Sequence, residues 1–345
     1  MATKKIANTR KTKTTAKRKP SKKASTSKKA AEAKPKKHLP GGTTIQEISR
    51  NVHFISHRFL TTSDNFWVLL TSDRHHDNPH CNVEMEKRHL EEAKERNAVI
   101  IDYGDLFCAM QGKFDRRASK EDIRPEHQSG NYLDKLVSTA TDFYAPYANN
   151  FAIMGPGNHE TAMLKHHETN LTERLVERLN MATGSEIKMG GYSGWVKFKF
   201  WYGREQTTGA NLTNSGAQKS MDSKNLWYHH GYGGDAPVTK GTIQTGRQAV
   251  YVPDAHFVCT GHTHNEWIFP IQRVRLKESG LIYHDEQLHI KTPGYKEEYD
   301  DGYAGWHIER GGPPKPNGAM WIRFFYRKTN DQKTRGVHYE VTRAK

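Results

Sequence analysis

Short apolar runs, each ending in a polar cluster, recur along most of this chain. Asn65-Phe66-Trp67-Val68-Leu69-Leu70-Thr71-Ser72 predicts the first strong strand, with Asp73 and His75 at its end. Asn82 can cap a helix over 82–97, where Val83, Met85, Leu90 and Ala93 are spaced among Glu, Lys and Arg. Ala98-Val99-Ile100-Ile101 is too apolar for a half-exposed strand, so it predicts a central, parallel one leading to Gly104 and Asp105. Strand, helix and strand in that order form a βαβ unit. A helix-rich insert follows, centred on 131–143. Phe151-Ala152-Ile153-Met154 then predicts a strand leading to Gly157-Asn158-His159-Glu160.

Residues 171–182 read as a helix. Residues 194–201 alternate with period two, which predicts an antiparallel strand with one covered face. Residues 203–222 have no core-forming pattern and read as a mobile loop. Asn225-Leu226-Trp227-Tyr228 leads to His229-His230-Gly231, and Ala255-His256-Phe257-Val258-Cys259 to Thr260-Gly261-His262-Thr263-His264. Beyond lie strand-like, turn-rich residues, a rigid loop at 311–318 and a last strand at 319–326. There are no internal repeats. The mixture is α/β.

Charge divides the chain. Residues 1–40 hold 15 Lys and Arg against one acid, Glu32, a net +14 of the whole chain's +15. Residues 41–345 therefore carry about +1, and the high pI belongs to the tail. With almost no large apolar side chain, residues 1–42 are expected to be a disordered tail before a domain spanning 43–345. Such a tail suits a nucleic-acid-binding arm with salt-sensitive affinity, Lys17, Arg18, Lys19, Lys22 and Lys23 being its densest cluster and also a candidate nuclear-import signal. A solubilising linker is the alternative.

No apolar run reaches the ~20 residues of a membrane span, and no signal-peptide core is visible. Cys81, Cys108 and Cys259 are too scattered for a disulfide framework or zinc ribbon. A cytoplasmic or nuclear, reducing setting is expected.

Five polar clusters at strand ends share one explanation, a centre holding two metal ions. Two such ions need a bridging anion, and Asp105 at a buried strand tip suits that role. Mixed nitrogen and oxygen donors fit Mn, with Fe, Zn or Ni next, better than Ca. His229 and His230 point to opposite faces, so only one can enter. Turn capping is the ordinary alternative for each of these residues.

In this set and order the chain resembles the calcineurin-like metallophosphoesterases. Their pattern is D-x-H, G-D-x-x-D, G-N-H-[D/E], a His before Gly, and G-H-x-H. It stands here as Asp73-x-His75, Gly104-Asp105, Gly157-Asn158-His159-Glu160, His230-Gly231 and Gly261-His262-Thr263-His264. The resemblance implies a four-layer α/β/β/α sandwich of two mixed sheets. It implies one ion on Asp73, His75 and His264, another on Asn158, His230 and His262, and Asp105 between them. It further implies in-line attack by a metal-bridging hydroxide, His159 protonating the leaving oxygen, and Glu160 orienting that imidazole.

The second motif departs from the family, since Cys108 stands where an Asp is usual. Gly104-Asp105-Leu106-Phe107 resembles the family's double-strand-break repair nucleases, and the D-R-G of its protein phosphatases is missing. The tail and this motif favour a phosphodiesterase or nuclease on nucleic acid or nucleotides. A phosphomonoesterase and a non-catalytic nucleic-acid-binding protein are the alternatives. Arg74 can reach a phosphate oxygen bidentately, an ordinary surface arginine being the alternative. His76 and Asp77 are expected in a loop near the rim, His166 and His167 on a solvated helix face, and Lys291-Thr292-Pro293-Gly294 in a structural turn.

Overall fold

The first βαβ unit sets the direction of the fold. A hairpin of β1 (Thr44–Ser49) and β2 (Val52–Phe59) precedes β3 (Asn65–Thr71), α1 (Val83–Glu95) and β4 (Val99–Tyr103). Then come α2 (Tyr132–Tyr144), β5 (Phe151–Gly155), α3 (Asn158–His167), α4 (Leu171–Thr183), β6 (Lys188–Met189) and β7 (Ser193–Tyr202). The chain continues through β8 (Asp222–His229), α5 (Thr242–Tyr251), β9 (Phe257–Thr260), β10 (Trp267–Leu276) and β11 (Ile282–Lys291). It closes with α6 (Trp306–Glu309), β12 (Ala319–Arg327) and β13 (Gly336–Ala344).

This computed structural model describes residues 39–109, 123–203, 221–234, 236, 238–299, 302, 306–309, 311–330 and 336–344. The disorder expected of the tail lies outside them, as does most of the loop expected at 203–222. Leu39 is already buried in the core, and a turn at Pro40–Gly42 leads into β1.

The strands form two mixed sheets. One runs β1-β2-β7-β8-β9-β11-β10, the other β13-β12-β3-β4-β5-β6. β4 is central and parallel to both neighbours, as its unbroken apolar run requires. Asn82 caps α1, its side chain accepting the Met85 N–H at 2.9 Å. β7 alternates buried and half-buried positions and is antiparallel to β8, but it is parallel to β2 on its other side. β2 escaped the sequence reading because two of its four inward positions are histidines, His53 and His57, which break the apolar alternation.

The main core lies between the sheets, where Val68, Ile101, Val196, Phe198, Leu226, Phe257 and Phe324 pack. On the far side of the six-stranded sheet, a second core joins Leu69 and Ile100 to Leu90, Leu136, Val137, Leu175 and Leu179 of α1, α2 and α4. Outside the seven-stranded sheet a small cluster of Val252, Ala255 and Val258 meets Trp195 and Trp227 beside the end of α5. The layers are thus helix, sheet, sheet, helix, the last of them thin. Among the described residues no helix is long and apolar enough to cross a membrane. The carboxyl ends of β3, β4 and β5 meet those of β8 and β9 at one rim, where open α/β sheets present their ligand sites.

Candidate metal centre

Residues of all five polar clusters converge at this rim. Asp73 is fully buried. Its Oδ2 accepts the Ser72 hydroxyl at 2.5 Å and the His262 N–H at 2.7 Å. Its Oδ1 has no hydrogen-bond partner and stands 3.4 Å from His264 Nε2. His75 Nε2 lies 3.2 Å from the same nitrogen. Asp73, His75 and His264 thus bring three donor atoms together.

A second triad, Asp105, His230 and His262, stands beside it. His230 is buried, with Nδ1 at 3.1 Å from the Tyr103 carbonyl. A proton there leaves Nε2 with its lone pair, facing Asn158 Oδ1 at 3.0 Å and Asp105 Oδ2 at 3.1 Å. His229 lies off to the side, its Nδ1 accepting the Gly231 N–H at 2.9 Å. The structure therefore brings His230, not His229, to the cluster.

These spacings fit metal ions. Donors bound to one ion at about 2.1 Å lie ~3.0–3.4 Å apart in octahedral or tetrahedral arrangements. The buried Asp73 oxygen without a donor and the acceptor atoms crowded around His230 both lack what a cation would supply. The outer nitrogens are oriented as metal-binding histidines usually are. His264 Nδ1 stands 3.5 Å from Glu298 Oε1, and His262 Nε2 is 3.1 Å from the Gly233 carbonyl, which leaves its Nδ1 free of hydrogen bonds.

The electrostatics follow from burial and proximity. Burial alone would raise the Asp73 carboxyl, but the close approach of the His264 ring and the charges of His230 and His264 hold it below the usual range. Asp105 is likewise held low against burial by His230 and His159. Burial works against a charged His230, yet Asp105 brings it to about 9. His75 is driven down by burial and by His159 and His264.

The backbone is bent to make this centre. Asp73, His75, Asp105, His262 and His264 all have positive φ, five of the nine such non-glycine residues among those described. Left-handed backbone strains ordinary residues and concentrates at functional sites. The motif glycines serve close approach. A Cβ on Gly157 would overlap the Asp105 carboxylate, and one on Gly261 would overlap Ser72 Oγ and Asp73 Oδ2. The turn after β11 also supports Asp73, whose carbonyl accepts the Tyr295 N–H at 3.0 Å.

Three sequence expectations are corrected. Arg74 cannot reach substrate, because it is fully buried behind the rim. Its Nε donates to Asp102 at 2.6 Å, Nη1 to Glu86 at 2.8 Å and Nη2 to Thr71 Oγ1 at 3.0 Å. Glu160 does not orient His159. Its carboxylate instead accepts the N–H groups of Asp105 (3.1 Å), Phe107 (2.9 Å) and Gly157 (2.8 Å), tying two motif loops together. Burial and the Asp105 charge raise this carboxyl to about 8, against the pull of those donors. His76 and Asp77 are not rim residues but buried ones.

Asp77 has a role that the sequence reading missed. It accepts the N–H groups of Cys108 at 2.5 Å and Ala109 at 2.9 Å. The Cys108 carbonyl in turn holds His159 Nδ1 at 2.7 Å. His159 Nε2 is thereby turned to within 3.8 Å of Asp105 Oδ2. Asp77 thus supports the loop where the family's Asp is replaced by Cys108. Glu298 was also missed, having no motif around it. His166 is exposed in the last turn of α3 and His167 half-buried. Lys17, Arg18, Lys19, Lys22 and Lys23 lie outside the described residues.

No protein-family model matches the chain, and neither does any curated protein. Among solved structures the chain is similar to a conserved uncharacterized protein, a predicted phosphoesterase, from Streptococcus pneumoniae TIGR4. That match has 7 % identity and a TM-score of 0.29, and covers 81 % of this chain and 98 % of that one. It is also similar to Vps29 from Chaetomium thermophilum, at 10 % identity and a TM-score of 0.25, over 81 % and 96 % of the two chains. Similarities this slight add nothing to what the side chains show. The side chains gathered at the rim are those of the motifs that carry the resemblance noted in the sequence.

Proposed function

We propose that this chain is a phosphoesterase working with two divalent metal ions, manganese first among them, and that phosphodiesters of nucleic acid or nucleotides are its leading substrates. The observation that carries this reading is the pair of buried donor clusters at ligand-to-ligand spacing on one rim. Asp73, His75 and His264 would hold one ion, and Asn158, His230 and His262 the other, with Asp105 serving both. Such ions, when bound, lower the pKa of a coordinated water and offset charge on the transferring phosphoryl group.

The rest is done by the chain. Its carboxylates stay ionised because the histidines outweigh the cost of burial. His159 is pinned at Nδ1 by the Cys108 carbonyl, which leaves Nε2 to deliver a proton to the leaving oxygen. Its side chain keeps 14 % exposure, enough to exchange that proton with solvent. The lysine-rich tail would tether nucleic acid in a nucleus or cytoplasm, a reading supported by its net +14. Removing residues 1–40 should weaken DNA binding and flatten its salt dependence without changing turnover of a small ester.

The test of the site is hydrolysis of bis-p-nitrophenyl phosphate beside p-nitrophenyl phosphate with Mn²⁺, with Asp105→Asn as control. Diester turnover that disappears in the variant is expected. Turnover of the monoester alone would replace the diesterase reading with a phosphomonoesterase. No turnover of either ester by folded, metal-loaded protein would overturn the phosphoesterase reading.

A further inference from the structure

The outward face of the seven-stranded sheet changes character along its strands. At the rim end Trp195 and Trp227 pack against Val252, Ala255 and Val258 beside α5. Away from the rim, β2 turns Phe54, Ser56 and Arg58 outward and β7 turns Lys197, Lys199 and Trp201 outward, all of them half-buried. The two strands are parallel, with Phe54 beside Lys197, Ser56 beside Lys199 and Arg58 beside Trp201. The flanking outward positions are uncharged: Thr44 and Gln46 on β1, Ser223 and Asn225 on β8.

These outward positions hold three cations and no carboxylate. Burial and the neighbouring Lys197 charge, with no acid opposing them, hold the Lys199 ammonium below its usual value. Two aromatic rings lie among the charges. Lys199 Nζ is 3.9 Å from the centroid of the Phe54 ring, and the Arg58 guanidinium is 5.8 Å from that of Trp201. Cations gathered without a counter-charge draw an anionic partner. Rings interleaved with them select nucleic acid among anions, since every base has a face that can stack, and unpaired bases are the ones free to do so. Successive outward residues of a strand are about 6.6–6.8 Å apart, so Lys197, Lys199 and Trp201 set two charges and a ring along one line.

We propose that this part of the sheet is a docking platform for single-stranded nucleic acid, with phosphates on Lys197 and Lys199 and bases on Trp201 and Phe54. The proposal rests on the reading of nucleic acid as the substrate class, but its site is separate from both the metal centre and the lysine-rich tail. A base takes the place of the ammonium over Phe54 as Lys199 turns to the phosphate. β8, paired with β7, runs from this region to His229 and the rim, so a strand held on the platform has a path towards the centre.

The test is binding of a fluorescent oligothymidylate to the full-length, metal-free protein, followed by anisotropy across a range of salt. Trp201→Leu should weaken binding by about fivefold or more, the effect of one lost stacking contact, and leave the salt dependence alone. Lys197→Gln with Lys199→Gln should weaken binding and lower the slope of log affinity against log salt by about 1.4, two phosphate contacts on a single strand. Either variant serves if the other fails to fold, as judged by thermal melting. The tail binds all of them alike, and it has no aromatic residue. An iodouracil-substituted oligonucleotide should therefore photo-crosslink to the peptides holding Trp201 or Phe54. Affinity and slope unchanged in the folded variants would overturn the proposal. So would a loss confined to the lysine variant, which would make the face a surface for any acidic partner. Small-ester hydrolysis with oligonucleotide binding indifferent to the variants would sink the platform alone. Variant-sensitive binding without any hydrolysis would keep the platform and remove the enzyme.

Discussion

Replacing Arg74 by methionine separates the two roles that an arginine between two proposed metal ligands can have. In the structure it is a buried cation between two fully buried carboxylates, Asp102 and Glu86, with its guanidinium 5.4–5.5 Å from the rings of Tyr144, Phe151 and Tyr295. Burial would raise the Glu86 carboxyl, but His76, Arg74 and Tyr144 together hold it near 2. Asp102 is raised by burial, with Arg74 opposing. Removing one side of a buried ion pair costs about 3–5 kcal/mol. Asp102 keeps Thr71 Oγ1 at 2.8 Å and Glu86 keeps His76 Nδ1 at 2.8 Å, so the lower part of that range, about 3–4 kcal/mol, is expected. That is a large share of the roughly 5–15 kcal/mol typical of a folded protein. With a urea slope of about 2.5 kcal/mol per molar, the midpoint should fall by roughly 1.3 M. Adding Glu86→Gln and Asp102→Asn should recover about 1 kcal/mol or more by removing the stranded charges. Urea unfolding followed by circular dichroism measures both. A stability change below about 1 kcal/mol, coupled to a raised KM for a phosphate ester, would refute this reasoning and return Arg74 to substrate.

Gly157→Ala should leave a folded protein with metal affinity reduced by about 10–100-fold, because the new methyl group displaces Asp105; titration calorimetry with Mn²⁺ would show this, and unchanged affinity would contradict it. His159→Asn should reduce turnover of esters with poor leaving groups by ~10²–10⁴ while sparing p-nitrophenyl esters, which need little proton donation; equal losses on both would remove the acid role. His57 is remote from the centre, stacked 4.6 Å from Phe66 with Nδ1 2.9 Å from Thr43 Oγ1, and burial lowers it from 6.5 to about 4 against the pull of Asp64. Its folded pKa lies below its unfolded one, so its neutral form favours folding fully above pH 6.5, and that stability drains as pH falls towards 4. The loss reaches roughly 3 kcal/mol, and His57→Phe should remove it from the pH dependence of the urea midpoint; an unchanged profile would contradict the assignment.

Much of the site was legible because the proposed metal ligands sit at strand ends, and short apolar runs mark strand ends well. β3, β4, β5, β8 and β9 could each be placed by the run that precedes a polar cluster. Direction was harder. β7 was readable as a strand, but nothing in its alternation tells that one neighbour is parallel, and β2 was hidden by inward histidines. The supporting residues were not legible either. Arg74 lies between two ligands in sequence yet points behind them, because the left-handed backbone at Asp73 and His75 turns the chain twice within three residues. Asp77 and Glu160 act on backbone N–H groups of a loop at least 31 residues away in sequence in one direction or the other, and no local pattern encodes such a contact.

The most direct test of the two-ion centre is Mn²⁺ titration of metal-free protein, followed by calorimetry and by melting temperature. Two equivalents should bind, the melting temperature should rise with free Mn²⁺ as binding linkage demands, and Asp105→Asn should lose at least one equivalent. Failure of the folded protein to bind any Mn²⁺, or full retention of two equivalents in Asp105→Asn, would contradict the account.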